Sequence, residues 1–179
     1  MISTDLNKLE CKLGRTMDGL VLFLYDIARK MRGVKTILEI GVRQGTSTNS
    51  FLLGIADRKY KERTHLYSID IDDETYAVDK FLGKEKFDTL RKYWTFIVGD
   101  SKKVRWDKEI DVLLIDGDHT YQGVKSDYEK YAPFVRKGGL ILIHDAHNHR
   151  PVRKFWKELK VPKVALPMSR AGLGVIEKQ

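Results

Sequence analysis

Histidine and aspartate side chains are concentrated in one stretch of the chain, between residues 116 and 149. Four of the five histidines fall there, near three of the four aspartates of the stretch: His119, His144, His147, His149, Asp116, Asp118 and Asp145. A histidine whose pKa lies near neutrality can accept a proton as a general base. Two carboxylates and an imidazole can also bind Mg²⁺, Mn²⁺ or a softer divalent cation. The stretch therefore predicts a chemical site that uses proton transfer, a metal ion or both.

Acidic residues also recur at the ends of short apolar segments. Four such segments end in aspartate, and a fifth carries a glutamate two residues before its last glycine: Asp70, Asp100, Asp116, Asp145 and Glu39. A single aspartate at such a place is a common helix cap or turn residue. Ligands of open α/β sheets bind at the carboxyl ends of the strands, so five acids on one edge predict a binding site.

The first of these segments runs into a turn that contains two glycines, Glu39-Ile40-Gly41-Val42-Arg43-Gln44-Gly45-Thr46-Ser47. Glycine lets the backbone approach a ligand closely, and the N–H groups at the start of the next helix can bind one. The G-x-G-x-x-G spacing of dinucleotide-binding turns is absent, because Arg43 occupies the place of the middle glycine. The turn therefore favours a ligand without a pyrophosphate.

Alternating helical and extended segments must position these residues. The buried extended segments are 36–41, 65–70, 94–100, 111–116 and 140–145, and the helical patterns are 17–31, 46–56, 84–93, 121–132 and 152–159. Two last strands are predicted at 163–166 and 171–176, paired antiparallel across the turn at 167–170. Gly138-Gly139 is predicted to be a turn before the fifth strand, and 72–81 a loop. The alternation predicts a mainly parallel sheet with helices on both faces.

The composition bounds the class of protein. A chain of 179 residues is long enough for one ordinary domain, and its 42% hydrophobic and 32% charged residues are typical of soluble globular proteins. No apolar run approaches the ~20 residues of a membrane-spanning helix, and the first residues lack a signal-peptide pattern. The single cysteine, Cys11, excludes an internal disulfide and a multi-cysteine zinc site. These features predict a cytoplasmic protein without membrane contact.

The net charge of +8 allows a polyanionic partner. Lysine and arginine are scattered along the chain, and none of them forms an arginine-rich tract with interleaved aromatic residues. RNA therefore stays an alternative to a small molecule as the partner.

Two sequence motifs resemble motifs of class I S-adenosylmethionine (SAM)-dependent methyltransferases and follow one another in the same order. E-I-G-V-R-Q-G-T-S is similar to their first motif, and D-G-D-H-T-Y at 116–121 resembles the D-G-D-H-x-Y motif of a small, single-domain, O-methyltransferase-like branch. The segments 123–127 and 138–145 follow with family-like spacing, so the resemblance covers about 36–145. It implies a Rossmann-like, doubly wound, mostly parallel seven-stranded sheet with an antiparallel C-terminal strand.

The resemblance also implies how the chain is divided. Residues 1–33 are expected to form an N-terminal helical cap and 34–179 the methyltransferase domain, within one structural domain overall. The helix around Phe23 is expected to pack on the sheet, with a lid over the site or a homodimer interface as alternatives.

The resemblance assigns one group of residues to the nucleoside part of SAM. Asp70 is expected to accept hydrogen bonds from both ribose hydroxyls, with Asp72 as its alternative. Asp100, together with the backbone of Ser101, is expected to contact the adenine amino group.

A second group is assigned to the methionine part of SAM. Glu39 is expected to face the ammonium group, directly or through water, and Asp116 to lie near both that group and the substrate. The backbone of Gly41 and Gly45 leaves room for the carboxypropyl arm, and Thr46 begins the adjoining helix. An acidic edge also favours the positively charged sulfonium.

The resemblance implies two mechanisms for transfer to a hydroxyl. In one, His119 is the general base and Asp116 its catalytic partner. In the other, a divalent cation binds the acceptor, as in catechol and caffeoyl-CoA O-methyltransferases, which use a carboxylate after the fourth strand and an Asp-Asn pair after the fifth. The matching residues here are Asp116 and Asp145, with Ala146 in place of the asparagine, while His144 joins Asp145 as a candidate ligand.

The acceptor is expected to be a small hydroxylated molecule, such as a sugar or a catechol-like ring. No D/N-P-P-Y/F signature of amino-methylating enzymes occurs, and no cysteine follows the fourth strand, so an oxygen acceptor is favoured over nitrogen. The alternatives are methylation of RNA or another polyanion, SAM binding without catalysis, and a nucleotide-dependent oxidoreductase.

Overall fold

The computed structural model describes residues 19–59, 63–168 and 171–179. Its strands are β1 Thr36–Ile40, β2 His65–Asp70, β3 Trp94–Val98, β4 Ile110–Ile115, β5 Val135–His144, β6 Val164–Leu166 and β7 Leu173–Glu177. Its helices are α1 Leu20–Lys30, α2 Thr46–Ala56, α3 Thr75–Leu82, α4 Lys84–Leu90, α5 Tyr121–Tyr131 and α6 Arg150–Glu158. Cys11, the first residues of the predicted cap and part of the turn at 167–170 lie outside the described residues.

All seven strands join one sheet in the order β3-β2-β1-β4-β5-β7-β6. Strands β1 to β5 are parallel, whereas β7 runs antiparallel to both β5 and β6. The predicted seven-stranded, doubly wound sheet with an antiparallel C-terminal strand is therefore confirmed. In the register, Ile40 pairs with Ile69 of β2 and with Ile115 of β4, so the carboxyl ends of the central strands lie level at one edge.

Helices cover both faces of the sheet because successive strand residues point to opposite sides. Ile37 packs in a cluster with residues of α1, α2, α3 and α4, while the next residue, Leu38, packs with residues of α5 and α6. Helix α1 lies against α2 so closely that a Cβ on Gly54 would be 2.4 Å from the Tyr25 carbonyl oxygen. None of the described helices has the length and apolarity needed to cross a membrane.

The prediction of a loop over 72–81 is wrong, because α3 occupies most of it. Val78 is fully buried and Leu82, one turn later, packs against the same core cluster. The carboxylate of Asp73 accepts hydrogen bonds from the Thr75 backbone N–H at 3.0 Å and its hydroxyl at 2.7 Å, just before the helix begins. Two apolar side chains four residues apart are sufficient for a short helix when tertiary contacts bury them.

The prediction of a turn at Gly138-Gly139 is also wrong, because both glycines lie inside β5. The pairing of β4 with β5 shifts in register there, and Gly138 has a positive φ of 70°. The Gly138 N–H donates to the Lys178 carbonyl, and the Lys178 N–H donates to the Gly139 carbonyl. The glycines therefore form an irregularity within the strand, a usual reason for glycine in a sheet.

An aspartate at the opposite edge of the sheet stabilises the fold. The buried carboxylate of Asp111, at the start of β4, accepts hydrogen bonds from the Lys35 and Thr36 backbone N–H groups at 2.7 and 2.8 Å and pairs with the Arg136 guanidinium. It ties the entry of β1 to β4 and β5.

We expect Asp111→Ala to lower the free energy of unfolding by about 3 kcal/mol, because it leaves a partly buried guanidinium and two backbone N–H groups without their acceptor. Urea unfolding followed by circular dichroism measures this loss. Asp107→Ala, at an exposed aspartate near Lys108, is the control and should change stability by less than about 0.5 kcal/mol. Equal small effects of both variants would contradict this role.

Candidate active site

A cavity of about 570 Å³ opens at the carboxyl edge of β1, β2, β3 and β4, within the size range of small-molecule sites. Its lining brings together six of the residues predicted from the sequence: Gly41, Asp70, Asp100, Ser101, Asp116 and His119. Gly45, Thr46 and Asp72 lie outside the lining. The acids that are distant in the sequence therefore meet because parallel strands end at the same edge.

The turn after β1 is held to the end of β2 by Asp70. One oxygen of this carboxylate accepts hydrogen bonds from the backbone N–H groups of Val42 and Arg43, at 2.6 and 3.2 Å. Gly41 has a φ of 92°, and a Cβ there would lie 2.3 Å from the Asp116 carbonyl oxygen. Only glycine fits at this position, so the turn can pass directly under the end of β4.

Glu39 lies behind the cavity wall rather than in it. Its carboxylate is fully buried and accepts hydrogen bonds from the hydroxyls of Thr48 and Ser68, at 2.7 and 2.6 Å. Burial raises the pKa of this carboxyl to about 7. Its second oxygen, Oε1, has no hydrogen-bond partner among the described residues. The position suits an indirect contact with a ligand more than a direct one.

Two carboxylates and two imidazoles form a cluster at the ends of β4 and β5. His119 Nε2 lies 3.2 Å from Asp116 Oδ1 and 2.9 Å from Asp145 Oδ2, and His144 Nδ1 lies 2.8 Å from the same Asp116 oxygen. All four residues offer ligand atoms within 4.8 Å of one another. We call these four residues the Asp-His cluster. It could hold a metal ion, and its two imidazoles favour a softer cation than Mg²⁺.

The charges of the Asp-His cluster decide where its proton resides. Hydrogen bonds to Asp116 and Asp145 raise the pKa of His119 to about 10. Burial opposes protonation of His144, but its hydrogen bond to Asp116 and the two carboxylate charges outweigh burial and raise its pKa. The pKa values of both aspartates fall in turn. His119 therefore carries a proton at neutral pH in this state, whereas the sequence predicts a base near neutrality.

Two further features at the end of β5 are unusual for a position that serves packing alone. Asp145 has a φ of 60°, a left-handed conformation that costs energy for a residue with a side chain. The Nε2 atom of His144 is buried and has no hydrogen-bond partner among the described residues. Strain and an unpartnered buried nitrogen are typical of sites kept for binding or catalysis.

The remaining histidines of the stretch, His147 and His149, are not members of the Asp-His cluster. The ring of His149 stands edge-on to the ring of His119 with centroids 5.4 Å apart. The backbone N–H of His147 donates to the Ala171 carbonyl, which ties this loop to the segment before β7.

One residue of the cavity wall is not indicated by any sequence pattern. Lys102 lines the cavity and pairs with Asp118 at 3.1 Å. It follows Asp100 and Ser101 directly, but no signal in the sequence distinguishes it from the other lysines.

Removing His119 is expected to destabilise the metal-free protein more at about pH 6 than at about pH 10. The pKa of this ring rises from 6.5 to about 10 on folding, so its stabilising contribution is complete below the unfolded pKa and is lost as pH rises through the folded one. Urea unfolding of wild type and His119→Gln in a chelating buffer measures the difference. His65→Gln is the control. It should show the opposite trend, because burial lowers the pKa of His65. A pH-independent effect of His119→Gln would contradict the arrangement of charges.

The sheet order and the cavity at its carboxyl edge are those of a Rossmann-like α/β fold with a ligand site where such folds bind ligands. The chain belongs to a family described as a methyltransferase domain, whose model matches residues 38–146, more than half of the chain. The predicted resemblance is therefore confirmed at the level of the class.

Two curated relatives are much longer than this chain. It is 26% identical over 169 residues to the uncharacterized protein y4gI of Sinorhizobium fredii, covering 79% of this chain and 17% of that protein. It is 42% identical over 55 residues to the uncharacterized protein R132 of Acanthamoeba polyphaga mimivirus, covering 31% of this chain and 23% of that one. The chain thus spans less than a quarter of the length of either relative.

Solved methyltransferase structures share the fold. The S-adenosylhomocysteine (SAH)-bound methyltransferase PaMTH1 of Podospora anserina is 16% identical with a TM-score of 0.73, covering 99% of this chain and 89% of that one. The SAH-bound O-methyltransferase of Bacillus cereus is 15% identical with a TM-score of 0.69, covering 100% and 92%. CalS11, a TDP-rhamnose 3′-O-methyltransferase of calicheamicin biosynthesis, is 17% identical with a TM-score of 0.71, covering 98% and 87%.

Proposed function

We propose that the chain transfers a methyl group from SAM to a hydroxyl of a small acceptor, such as a sugar or a catechol-like ring. One observation carries this proposal: Asp116 and His119 line the cavity and also belong to the Asp-His cluster. The site for the methyl donor therefore adjoins the groups that can move a proton at the acceptor.

The charge of the cavity lining supports SAM as its ligand. Four carboxylates line it, against two basic side chains, Arg43 and Lys102, and the His119 ring. This negative surface suits a ligand with a sulfonium and an ammonium group. The backbone N–H of Ser101 has no hydrogen-bond partner among the described residues, so it is a donor ready for an adenine ring nitrogen.

The residues that would hold SAM follow from their places in the cavity. Asp70, at the end of β2, would accept the ribose hydroxyls with Oδ1, the oxygen that accepts the Asp72 N–H at 3.3 Å and not those of Val42 and Arg43. Asp100 and the Ser101 backbone, after β3, would contact adenine. The methionine part would lie over Gly41, with Glu39 reached through water.

Methyl transfer to a hydroxyl requires a proton acceptor. The acceptor oxygen forms a bond to the methyl carbon as the carbon–sulfur bond breaks, and the hydroxyl proton must go to a base. We assign this proton to His119 Nε2, after that atom has released to solvent the proton that it shares with Asp116 and Asp145 in this state. Asp116 and Asp145 hold the protonated ring that forms on transfer, because both accept hydrogen bonds from this nitrogen.

The donor set of the Asp-His cluster also fits a divalent cation, held by Asp116, Asp145 and His144. Such an ion would lower the pKa of a bound acceptor hydroxyl. Ala146, in the place of the asparagine of catechol-type enzymes, is buried and offers no ligand atom. The observation that supports a ligand there is the position of His144 Nδ1, which lies 2.8 Å from Asp116 and 4.0 Å from Asp145.

The experiment is a methyl-transfer assay with radiolabelled SAM, run with Mg²⁺, with Mn²⁺ and with a chelator. The acceptors are catechol, TDP-rhamnose and a short single-stranded RNA. Transfer to either small molecule supports the proposal, and loss of that transfer in the chelator supports the cation. SAH binding without transfer to any acceptor would favour a SAM-binding protein that is not an enzyme.

A second candidate function is methylation of a polyanion such as RNA. The exposed side of α6 carries Arg150, Arg153, Lys154 and Lys157, and it begins directly after His149, whose ring contacts His119. A positive surface that starts at the Asp-His cluster would bind phosphates next to the reacting group.

This candidate predicts that Arg153→Glu with Lys157→Glu weakens binding of the labelled RNA at least about tenfold and lowers its salt dependence. Fluorescence anisotropy at several salt concentrations measures both. Lys80→Glu with Lys92→Glu, which makes the same charge change at α3 and just after α4, is the matched control. Equal effects of the two pairs would identify nonspecific attraction to a basic protein.

A further inference from the structure

Three side chains of α5 hold one residue of the cavity wall. The Ser101 hydroxyl donates to Asp127 Oδ1 at 2.6 Å. The Ser101 carbonyl accepts hydrogen bonds from Lys130 Nζ at 2.7 Å and from the Tyr131 hydroxyl at 2.6 Å. Ser101 is half-buried, and it is fixed through both its side chain and its backbone.

Asp127 is an unusual residue for the position it occupies. Its side chain is 1% exposed, and its second oxygen, Oδ2, has no hydrogen-bond partner among the described residues. Burial also raises the pKa of this carboxyl. A buried carboxylate with one unpartnered oxygen is costly, so packing alone does not account for it. The cofactor contacts proposed above do not use it.

The turn held by this carboxylate is compact in itself. The Asp100 side chain accepts a hydrogen bond from the Lys102 N–H at 2.9 Å, and the Asp100 carbonyl accepts those of Lys103 and Val104. These bonds shape the turn. The hydrogen bonds from Ser101 to α5 determine where the turn lies relative to the cavity. A small displacement of it would move the Asp100 carboxylate and the Ser101 N–H together.

We propose that Asp127 is a positioning residue that sets the adenine selectivity of the cofactor site through its hydrogen bond to Ser101. The inference rests on the proposed function, because Asp100 and the Ser101 N–H must be the groups that meet adenine. Correct placement of both lets the site distinguish an amino group from a carbonyl at position 6 of the purine. Loosening the turn therefore lowers the preference for the amino group before it abolishes cofactor binding.

The test compares calorimetric binding of SAH and of S-inosylhomocysteine, which carries a carbonyl in place of the adenine amino group. Wild type should prefer SAH by at least about tenfold. Asp127→Asn should weaken SAH binding about tenfold and reduce the preference to about threefold or less, because a neutral amide oxygen accepts the Ser101 hydrogen bond less strongly than a carboxylate does. Glu129→Gln makes the same chemical change two residues along α5, at an exposed carboxylate paired with Lys125, and should keep wild-type affinity and preference.

Ser101→Ala removes the other partner of the same hydrogen bond and should reproduce the loss of preference, even where Asp127→Asn folds poorly. If the folded variants keep the wild-type preference for SAH, whether or not their affinities for both ligands fall, the inference is overturned and the proposed function still stands. Failure of wild type to bind SAH would overturn both.

Discussion

Asp70→Ala is expected to raise the Kd for SAH at least about 100-fold. The substitution removes the proposed acceptor of the ribose hydroxyls. It also leaves the Val42 and Arg43 N–H groups without the carboxylate that holds the turn after β1, so the floor of the cavity loosens. Calorimetric titration measures the affinity, and circular dichroism establishes that the variant is folded.

Asp72→Ala is the matched control for this prediction. Asp72 is exposed, lies outside the cavity lining and follows Asp70 by only two residues. We expect its replacement to change the Kd by less than about twofold. An equal or larger loss in Asp72→Ala would assign the ribose to Asp72 and contradict the role of Asp70.

His119→Gln is expected to lower the rate of methyl transfer about 1000-fold while SAH binding changes little. Glutamine keeps a polar side chain of similar reach but cannot take the hydroxyl proton from the acceptor. The rate is measured at saturating SAM with the acceptor that wild type methylates fastest. The separate binding measurement distinguishes a lost base from a lost cofactor site.

His149→Gln serves as the control for the loss of an imidazole near the site. Its ring contacts that of His119, but neither of the two aspartates of the Asp-His cluster is its hydrogen-bond partner in the described residues. We expect its rate to stay within about threefold of wild type. Full activity of His119→Gln would mean that another group, or a bound cation alone, removes the proton.

Much of the fold and part of the site follow directly from the sequence. Four of the five parallel strands, β2 to β5, are apolar runs that end in an aspartate or closely precede one, and parallel strands bring those ends to one edge. For this reason the sequence alone is sufficient to place Asp70, Asp100 and Asp116 in one cavity. The antiparallel β7 follows from the short turn that precedes it.

The rest depends on contacts between residues distant in the chain. Helix α3 forms because tertiary packing buries Val78. The pKa of His119 is set by Asp145, 26 residues later, as well as by nearby Asp116. The link between Ser101 and Asp127 likewise spans 26 residues. A pattern of residue types cannot specify such pairs, because it contains no distances.

The most direct test of the central claim is calorimetric titration of the wild-type protein with SAH, with NAD(H) titrated in parallel. We predict micromolar binding of one SAH per chain and no binding of NAD(H), as expected of a class I methyltransferase cavity whose first turn lacks the middle glycine. Binding of NAD(H) without binding of SAH would contradict the account and favour a nucleotide-dependent oxidoreductase.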